Sequence, residues 1–319
     1  MNAAAVGSAT LTVPGNLLLL GEYAVLEEGG IGIAIAVERR VVLVVEPAGE
    51  LTIAGAGGGF SETWRESDRG SPSLLGAVVA AAVRELEARG IQGKMPHLRL
   101  HVDSSAFFGP DGAKLGLGSS AAVAVGTAQA LLRYSGLEPG ALEDSTLRAA
   151  LDGHRSRQGG IGSGYDIAAS LYGGCGLFTG GATPSFEPIV LPWMPPFSLV
   201  RGAAPVDTSG AVGRYMEWKK RNPQAARDFL EASNEVARSF AGAGNWTEAS
   251  SLLMEGARLG VELGEAIGVS ARIAGLDGRE GKALGAGNEV GALWREDSET
   301  KAGGFEDLAI ATAGPLWRE

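Results

Sequence analysis

The chain has 319 residues, 45% of them hydrophobic and 20% charged, with a formal net charge of −10. That length gives a large core and room for two domains. The negative balance excludes nucleic acid as a partner, because phosphate backbones are held by clustered Lys and Arg. One cysteine, Cys175, rules out an internal disulfide and fits a reducing, cytoplasmic setting. His97, His101 and His154 are too few and too separated to read as a metal site.

In chain order, residues 17–20, 31–37 and 41–45 read as strands, with Glu38-Arg39-Arg40 at a bend or exposed edge. Residues 51–53 add a short strand before a glycine turn at 55–59. Ser71-Pro72-Ser73 opens a helix over 74–89 that Gly90 ends, and residues 97–102 alternate like a strand. A loop over 103–113 leads to helices at 119–134 and 143–158. The run 115–132 is uncharged but holds two serines, a threonine, a glutamine and three glycines, so it reads as a buried helix and its loop, not a membrane span. The first dozen residues lack Lys and Arg, so no signal-peptide n-region is expected.

After a loop around Asp166, another helix and a glycine-rich turn, the Pro-rich stretch 191–196 marks an expected boundary, dividing the chain into 1–190 and 191–319. The second part opens with a strand at 198–201, then Val206-Asp207-Thr208-Ser209-Gly210, read either as a substrate-touching loop or as a helix cap. Helices at 222–241 and 246–263, a short helical stretch ending near Leu276, and strands at 290–294 and 308–312 complete it. Strand–helix–helix–strand is compatible with a ferredoxin-like arrangement.

Three segments carry chemistry. Lys114-Leu115-Gly116-Leu117-Gly118-Ser119-Ser120 runs a glycine turn straight into an apolar helix. Glycines admit φ > 0 and close backbone approach, and the first helical turn offers unpaired N–H groups, so the segment suits a phosphate. Ser119 or Ser120 can cap the helix or lend an oxygen to Mg²⁺. A capped core helix after a glycine turn is the plainer reading. Glu22, after the four-leucine run 17–20, puts a carboxylate at a strand end, or is simply a solvated turn acid. Asp166 is the only charged residue between Arg157 and Glu187. An acid amid glycines and apolar residues needs a partner or a task. It either orients and deprotonates a hydroxyl or caps the helix that follows.

Together these segments resemble the GHMP kinases, small-molecule kinases that include galactokinase, homoserine kinase, mevalonate kinase and phosphomevalonate kinase. Pro14-Gly15-Asn16 through Gly21-Glu22-Tyr23-Ala24-Val25 resembles the first family signature, Gly116-Leu117-Gly118-Ser119-Ser120 the second, and Lys282-Ala283-Leu284-Gly285-Ala286-Gly287 the third. Gly-Glu-Tyr-Ala-Val, together with His154 and Gln158 ahead of Gly162-Ser163-Gly164-Tyr165-Asp166, is similar to the phosphomevalonate kinase branch. The chain departs from the signatures at Asn16, Leu284, Asn288 and Glu289.

The resemblance implies an α/β (α+β) fold of two domains, with an N-terminal mixed-sheet domain and a C-terminal ferredoxin-like one. It implies ATP and Mg²⁺, an anionic small-molecule substrate such as phosphomevalonate, a monomer or homodimer, and neither nucleic acid nor membrane. Gly116, Leu117, Gly118, Ser119 and Ser120 would hold the nucleotide, with Ser120 also on the metal. Asp166 would orient or deprotonate the acceptor oxygen, and Lys114 would balance negative charge. Asn16, Glu22, Tyr23, Ser163, Gly164, Lys282, Gly285, Ala286 and Gly287 would lie toward substrate. The alternatives are another kinase of the family, for mevalonate or a sugar, and a weak or silent nucleotide- or metabolite-binding regulator. No strict G-x-G-x-x-G follows a strand and no Walker signature occurs, which disfavours a dehydrogenase or a P-loop enzyme.

Overall fold

The computed structural model describes residues 7–57, 60–68, 73–91, 95–157, 159–202, 207–273, 276, 281–294 and 306–318. Gln158, Val206, Ser71, Pro72 and part of the expected 55–59 turn lie outside them. The described residues divide into two compact units that interleave in sequence: 1–16, 38–173 and 311–319 form one, 17–37 and 174–310 the other. Strands β1 (Ala9–Leu20) and β2 (Ile31–Pro47) each contribute residues to both units.

Strand β2 runs unbroken through Glu38-Arg39-Arg40, where a bend was an option. Residues 31–37 are buried on both faces, and beyond the triplet the strand alternates between buried and half-exposed. The charges stay in the strand because they have partners: Arg40 pairs with Glu38 at 2.8 Å and donates to the carbonyls of Ala313 and Gly314. The expected 51–53 strand is longer, β3 (Thr52–Gly57), because it pairs in parallel with β5 (Leu98–Asp103) as far as Ala56. It also forms a hairpin with β4 (Phe60–Arg65). With β12 (Leu316–Arg318), the first unit's sheet reads β12-β1-β2-β5-β3-β4.

Four helices complete that unit. Helix α1 (Leu74–Ala88) is capped by Ser73, whose Oγ accepts from the Gly76 amide at 3.1 Å, and Gly90 follows its end at φ 73°. Helix α2 (Ser119–Tyr134) begins and ends where its pattern predicts, and Ala121 through Leu132 are buried apart from Val123. It is buried because Gly126 lets it close on Leu43 and Val13; a Cβ there would stand 2.5 Å from Leu43. Helix α3 (Pro139–Arg157) starts four residues before the expected 143, with Pro139 in the first turn, where its missing N–H leaves nothing unpaired. Helix α4 (Tyr165–Tyr172) carries Asp166 in its first turn.

Helices α1 and α3 are laced by Glu85, which accepts from Arg148 and from Arg89. Burial pushes the Glu85 carboxyl up, but the hydrogen bonds from Arg148 and Arg89 outweigh it, so its pKa lies below the ordinary value. An acid with a lowered folded pKa stabilises above its unfolded pKa and loses that contribution as pH falls through the folded one. Glu85→Gln should therefore cost about 1 kcal/mol at neutral pH, a modest value because Arg148 is half-exposed. In urea titrations the gap between variant and wild type should close as pH falls through the carboxylate range.

In the second unit, β6 (Cys175–Thr179) and β7 (Ser185–Ile189) extend β2 at residues 31–35, where only a turn was expected. A further antiparallel sheet is built from β8 (Phe197–Arg201), β9 (Gly281–Leu284), β10 (Val290–Trp294) and β11 (Glu306–Leu308), in the order β11-β8-β10-β9. Its strands, taken in chain order, thus lie 4-1-3-2, which is the ferredoxin-like order. Between β8 and β9 come α5 (Thr208–Arg221), α6 (Pro223–Gly242) and α7 (Trp246–Ile267). Of the two readings of 206–210, the cap holds: Asp207 accepts from Gly210 N at 3.1 Å and starts α5. The expected helical stretch beyond 263 is the end of α7, which Gly268 terminates at φ 69°. The last expected strand, 308–312, reduces to the end of β11 and a single bridge from Ile310 to Val37. The Pro-rich stretch is fixed by Trp193, which packs edge-on against Phe240 at 5.4 Å and donates to the Ala243 carbonyl. No helix among the described residues is long and apolar enough to cross a membrane.

Candidate active site

The phosphate-turn residues are held by the strand that precedes them in sequence. Asn16 is 2% exposed, and its amide N donates to the Leu117 carbonyl at 3.0 Å. Its side chain donates to the Gly118 carbonyl at 3.3 Å and to Ser170 Oγ at 2.9 Å. Asn16 thereby ties the turn to α4, and a carboxamide suits this because both partners are neutral acceptors. Gly116 and Gly118 adopt φ 71° and 72°, and Gly118 is the N-cap of α2 with no side chain capping it. The helical ladder begins with Ala122 N on Gly118 O, so the N–H groups ahead of it face outward from the helix end. A Cβ on Gly118 would lie 2.1 Å from the Asn16 carboxamide. Gly118→Ala is therefore expected to cost about 1–3 kcal/mol in strain and to abolish any stabilisation by nucleotide in a thermal-shift titration.

Neither serine caps the helix. Ser119 is buried, and Ser120 Oγ lies 3.2 Å from Nε2 of His154 on α3. On its other side the same imidazole approaches Asp166: His154 Nδ1 is 3.5 Å from Asp166 Oδ2. Asp166 Oδ1 accepts from the Ile167 amide at 2.9 Å. Arg155, next on α3, donates to the carbonyls of Gly162 at 2.7 Å and Ser163 at 2.8 Å, which holds the loop leading into α4. Burial draws the Arg155 pKa below its ordinary value, and the attraction of Asp166 opposes this. Gly164 caps α4 at φ 91°, against Leu151. Lys114 stands exposed at the head of the turn, and its ammonium makes no ion pair among the described residues. Ser120, Ser163, Gly164 and Asp166 thus converge with Asn16 and the glycine turn in the first unit.

The other expected substrate residues converge in the second unit. Glu22, Tyr23, Lys282, Gly285, Ala286 and Gly287 line one recess, whose opposite wall is the glycine face of α7 at Gly256, Gly260 and Gly264. Lys282 is buried and its three donors are all spent, on the Leu19 carbonyl at 2.8 Å, the Ala283 carbonyl at 2.9 Å and the Glu22 carboxylate. Its charge is committed to Glu22. Burial raises the Glu22 pKa above its ordinary value, against the pull of Lys282. Tyr23 is the one non-glycine with positive φ (62°) among the described residues, and its hydroxyl donates to the Ala286 carbonyl, latching the glycine turn. Burial pushes its phenol up to about 12. Leu284, where the third signature departs, is buried in β9.

Two residues with a part in these clusters were missed or under-read from sequence. His154 entered only as a branch-like residue, although it lies on a helix twelve positions before Asp166. Tyr215 gave no signal; it packs on Tyr23 at 5.3 Å between ring centres and donates to Glu27 at 2.9 Å.

A family profile described as the GHMP kinases N terminal domain matches residues 76–174, which hold the glycine turn, His154 and Asp166. The phosphomevalonate kinase of Streptomyces sp. (strain CL190) is 34% identical over 179 residues, covering 50% of this chain and 46% of that protein. The matched region therefore spans about half the length of this curated relative. Among solved structures, the Lin0012 protein from Listeria innocua superposes with a TM-score of 0.83 at 24% identity, over 98% of this chain and 100% of that one. Streptococcus pneumoniae phosphomevalonate kinase, solved with phosphomevalonate and AMPPNP, gives 0.73 at 19% identity, over 91% and 93%. At those identities the structural likeness speaks for the fold. Residues 76–174 thus match a GHMP kinase N-terminal domain, and the fold is that of the solved GHMP-type kinases.

Proposed function

We propose that this chain is an ATP-dependent small-molecule kinase that phosphorylates (R)-5-phosphomevalonate to diphosphomevalonate. The observation that carries the reading is the meeting of Ser120 and Asp166 on one imidazole, at the uncapped N terminus of α2. The 34% identical phosphomevalonate kinase supports the choice of acceptor. We keep 1–190 and 191–319 as the proposed halves of the family domain pair in sequence order.

In this reading the amides of the Gly116–Ser120 turn and the positive end of α2 bind the nucleotide phosphates. Mg²⁺ fits the donors present: Ser120 Oγ and the Asp166 carboxylate are hard oxygens. When bound, it would neutralise the charge of the β- and γ-phosphates. Asp166 orients the acceptor, an oxygen of the substrate phosphate that is already ionised at neutral pH. That oxygen forms a bond to the γ-phosphorus while the bond from phosphorus to the β,γ-bridging oxygen breaks, and ADP leaves. Asp166 therefore contributes position more than proton removal, and Lys114 offsets the gathered negative charge. The direct check is ³¹P NMR of a reaction with ATP and phosphomevalonate. A new diphosphate signal coupled to the mevalonate chain supports the reading, and ATP left intact with all acceptors points to the silent regulator.

A further inference from the structure

The kinase reading uses Ser120 and Asp166 and leaves unexplained the histidine that joins them. We infer that His154 is a positioning residue: it fixes the Ser120 hydroxyl rotor and one Asp166 carboxylate oxygen so that both present lone pairs to a cation bound with nucleotide. This rests on the kinase reading above.

The argument begins with what each neighbour can accept. His154 is 4% exposed, so its ring nitrogens must be matched from within the protein. An ionised Asp166 only accepts, so Nδ1, 3.5 Å from Oδ2, carries the hydrogen. A neutral imidazole then has Nε2 as its acceptor, and the group 3.2 Å away is the Ser120 hydroxyl, which donates to it. With its proton pointed into the ring, Ser120 Oγ has its lone pairs directed elsewhere. A serine that ligates a cation needs that orientation, because a proton facing the ion would repel it. Oδ1 of Asp166 is held separately by the Ile167 amide at 2.9 Å, while His154 Nδ1 faces Oδ2 at 3.5 Å. Orienting partners of this kind typically change metal affinity about 10–100-fold when lost.

The test separates a positioning role from plain core packing by reading metal linkage apart from turnover. ADP binding would be titrated calorimetrically with and without Mg²⁺ on wild type, His154→Ala, His154→Asn and His154→Gln, with melting curves on each. Asn places its amide near the Nδ1 position and Gln near Nε2, so Gln retains a partner for Ser120 and Asn does not. The expected result is that His154→Ala lowers the Mg²⁺-dependent gain in ADP affinity about tenfold or more while metal-free ADP affinity changes less than about twofold. His154→Gln should restore more of that gain than His154→Asn, and kcat should fall with little change in the acceptor KM. An unchanged Mg²⁺ gain in the best-folded of these variants overturns the inference. So does a loss of ADP affinity that is equal with and without metal. A folded wild type that binds no nucleotide in either condition overturns the kinase reading, and this inference with it.

Discussion

Asp166→Asn is expected to lower kcat about 10²–10⁴-fold, with a much smaller change in KM for ATP. The substitution is close to isosteric and keeps an oxygen for the Ile167 amide, so the start of α4 should survive. What it removes is the charge that meets His154 and attracts Arg155. Arg155 stays anchored by the Gly162 and Ser163 carbonyls, so the loop before α4 should keep its course. The variant should therefore melt within a few degrees of wild type while losing turnover, a combination that a helix-capping aspartate would not give. Near-normal kcat in a stable variant would remove Asp166 from the mechanism.

Lys282→Met is expected to destabilise the protein by about 3–5 kcal/mol, because it leaves the Glu22 carboxylate buried without its counter-charge. The double variant Glu22→Gln/Lys282→Met should recover much of that loss, since neither side chain then brings a buried charge. pH gives a second signature. Burial already raises the Glu22 pKa, and losing Lys282 raises it further. An acid with a raised folded pKa costs stability as pH climbs from its unfolded to its folded value. As pH falls from neutral into the carboxylate range, urea midpoints of Lys282→Met should therefore move toward wild type. The gap closes on acidification, as it does for Glu85→Gln, but here because the variant gains stability rather than because the wild type loses it. A Lys282→Met protein as stable as wild type across that range would show that the pair is not a structural clamp. It would leave Lys282 free for the role toward substrate that the resemblance implies.

Helices with one clear apolar pattern were legible: α2 and α7 begin at the residues their periodicity indicates, and Ser73 and Gly90 bracket α1 as their chemistry requires. Strands were harder where tertiary pairing overrides local signals. The glycines of β3 continue a strand because β5 supplies a parallel partner, and β6 and β7 form among turn residues because β2 offers a free edge at 31–35. In the site, glycines and acids announced themselves by type and spacing. Long-range pairing did not: Asn16 with Ser170, Lys282 with Glu22 and Ser120 with His154 join residues 154, 260 and 34 positions apart. Nothing local marks such pairs, so the sequence places Lys282 toward substrate without showing that its ammonium meets Glu22 in the turn after β1.

The most direct test of the central claim is ADP release by the wild-type protein with Mg²⁺-ATP and, separately, phosphomevalonate, mevalonate, galactose and homoserine. The account predicts strong turnover with phosphomevalonate and little with the other three, despite the altered residues at Asn16, Leu284, Asn288 and Glu289. Preference for another acceptor would contradict the proposed substrate, and silence with all four from folded, nucleotide-binding protein would contradict the proposed kinase.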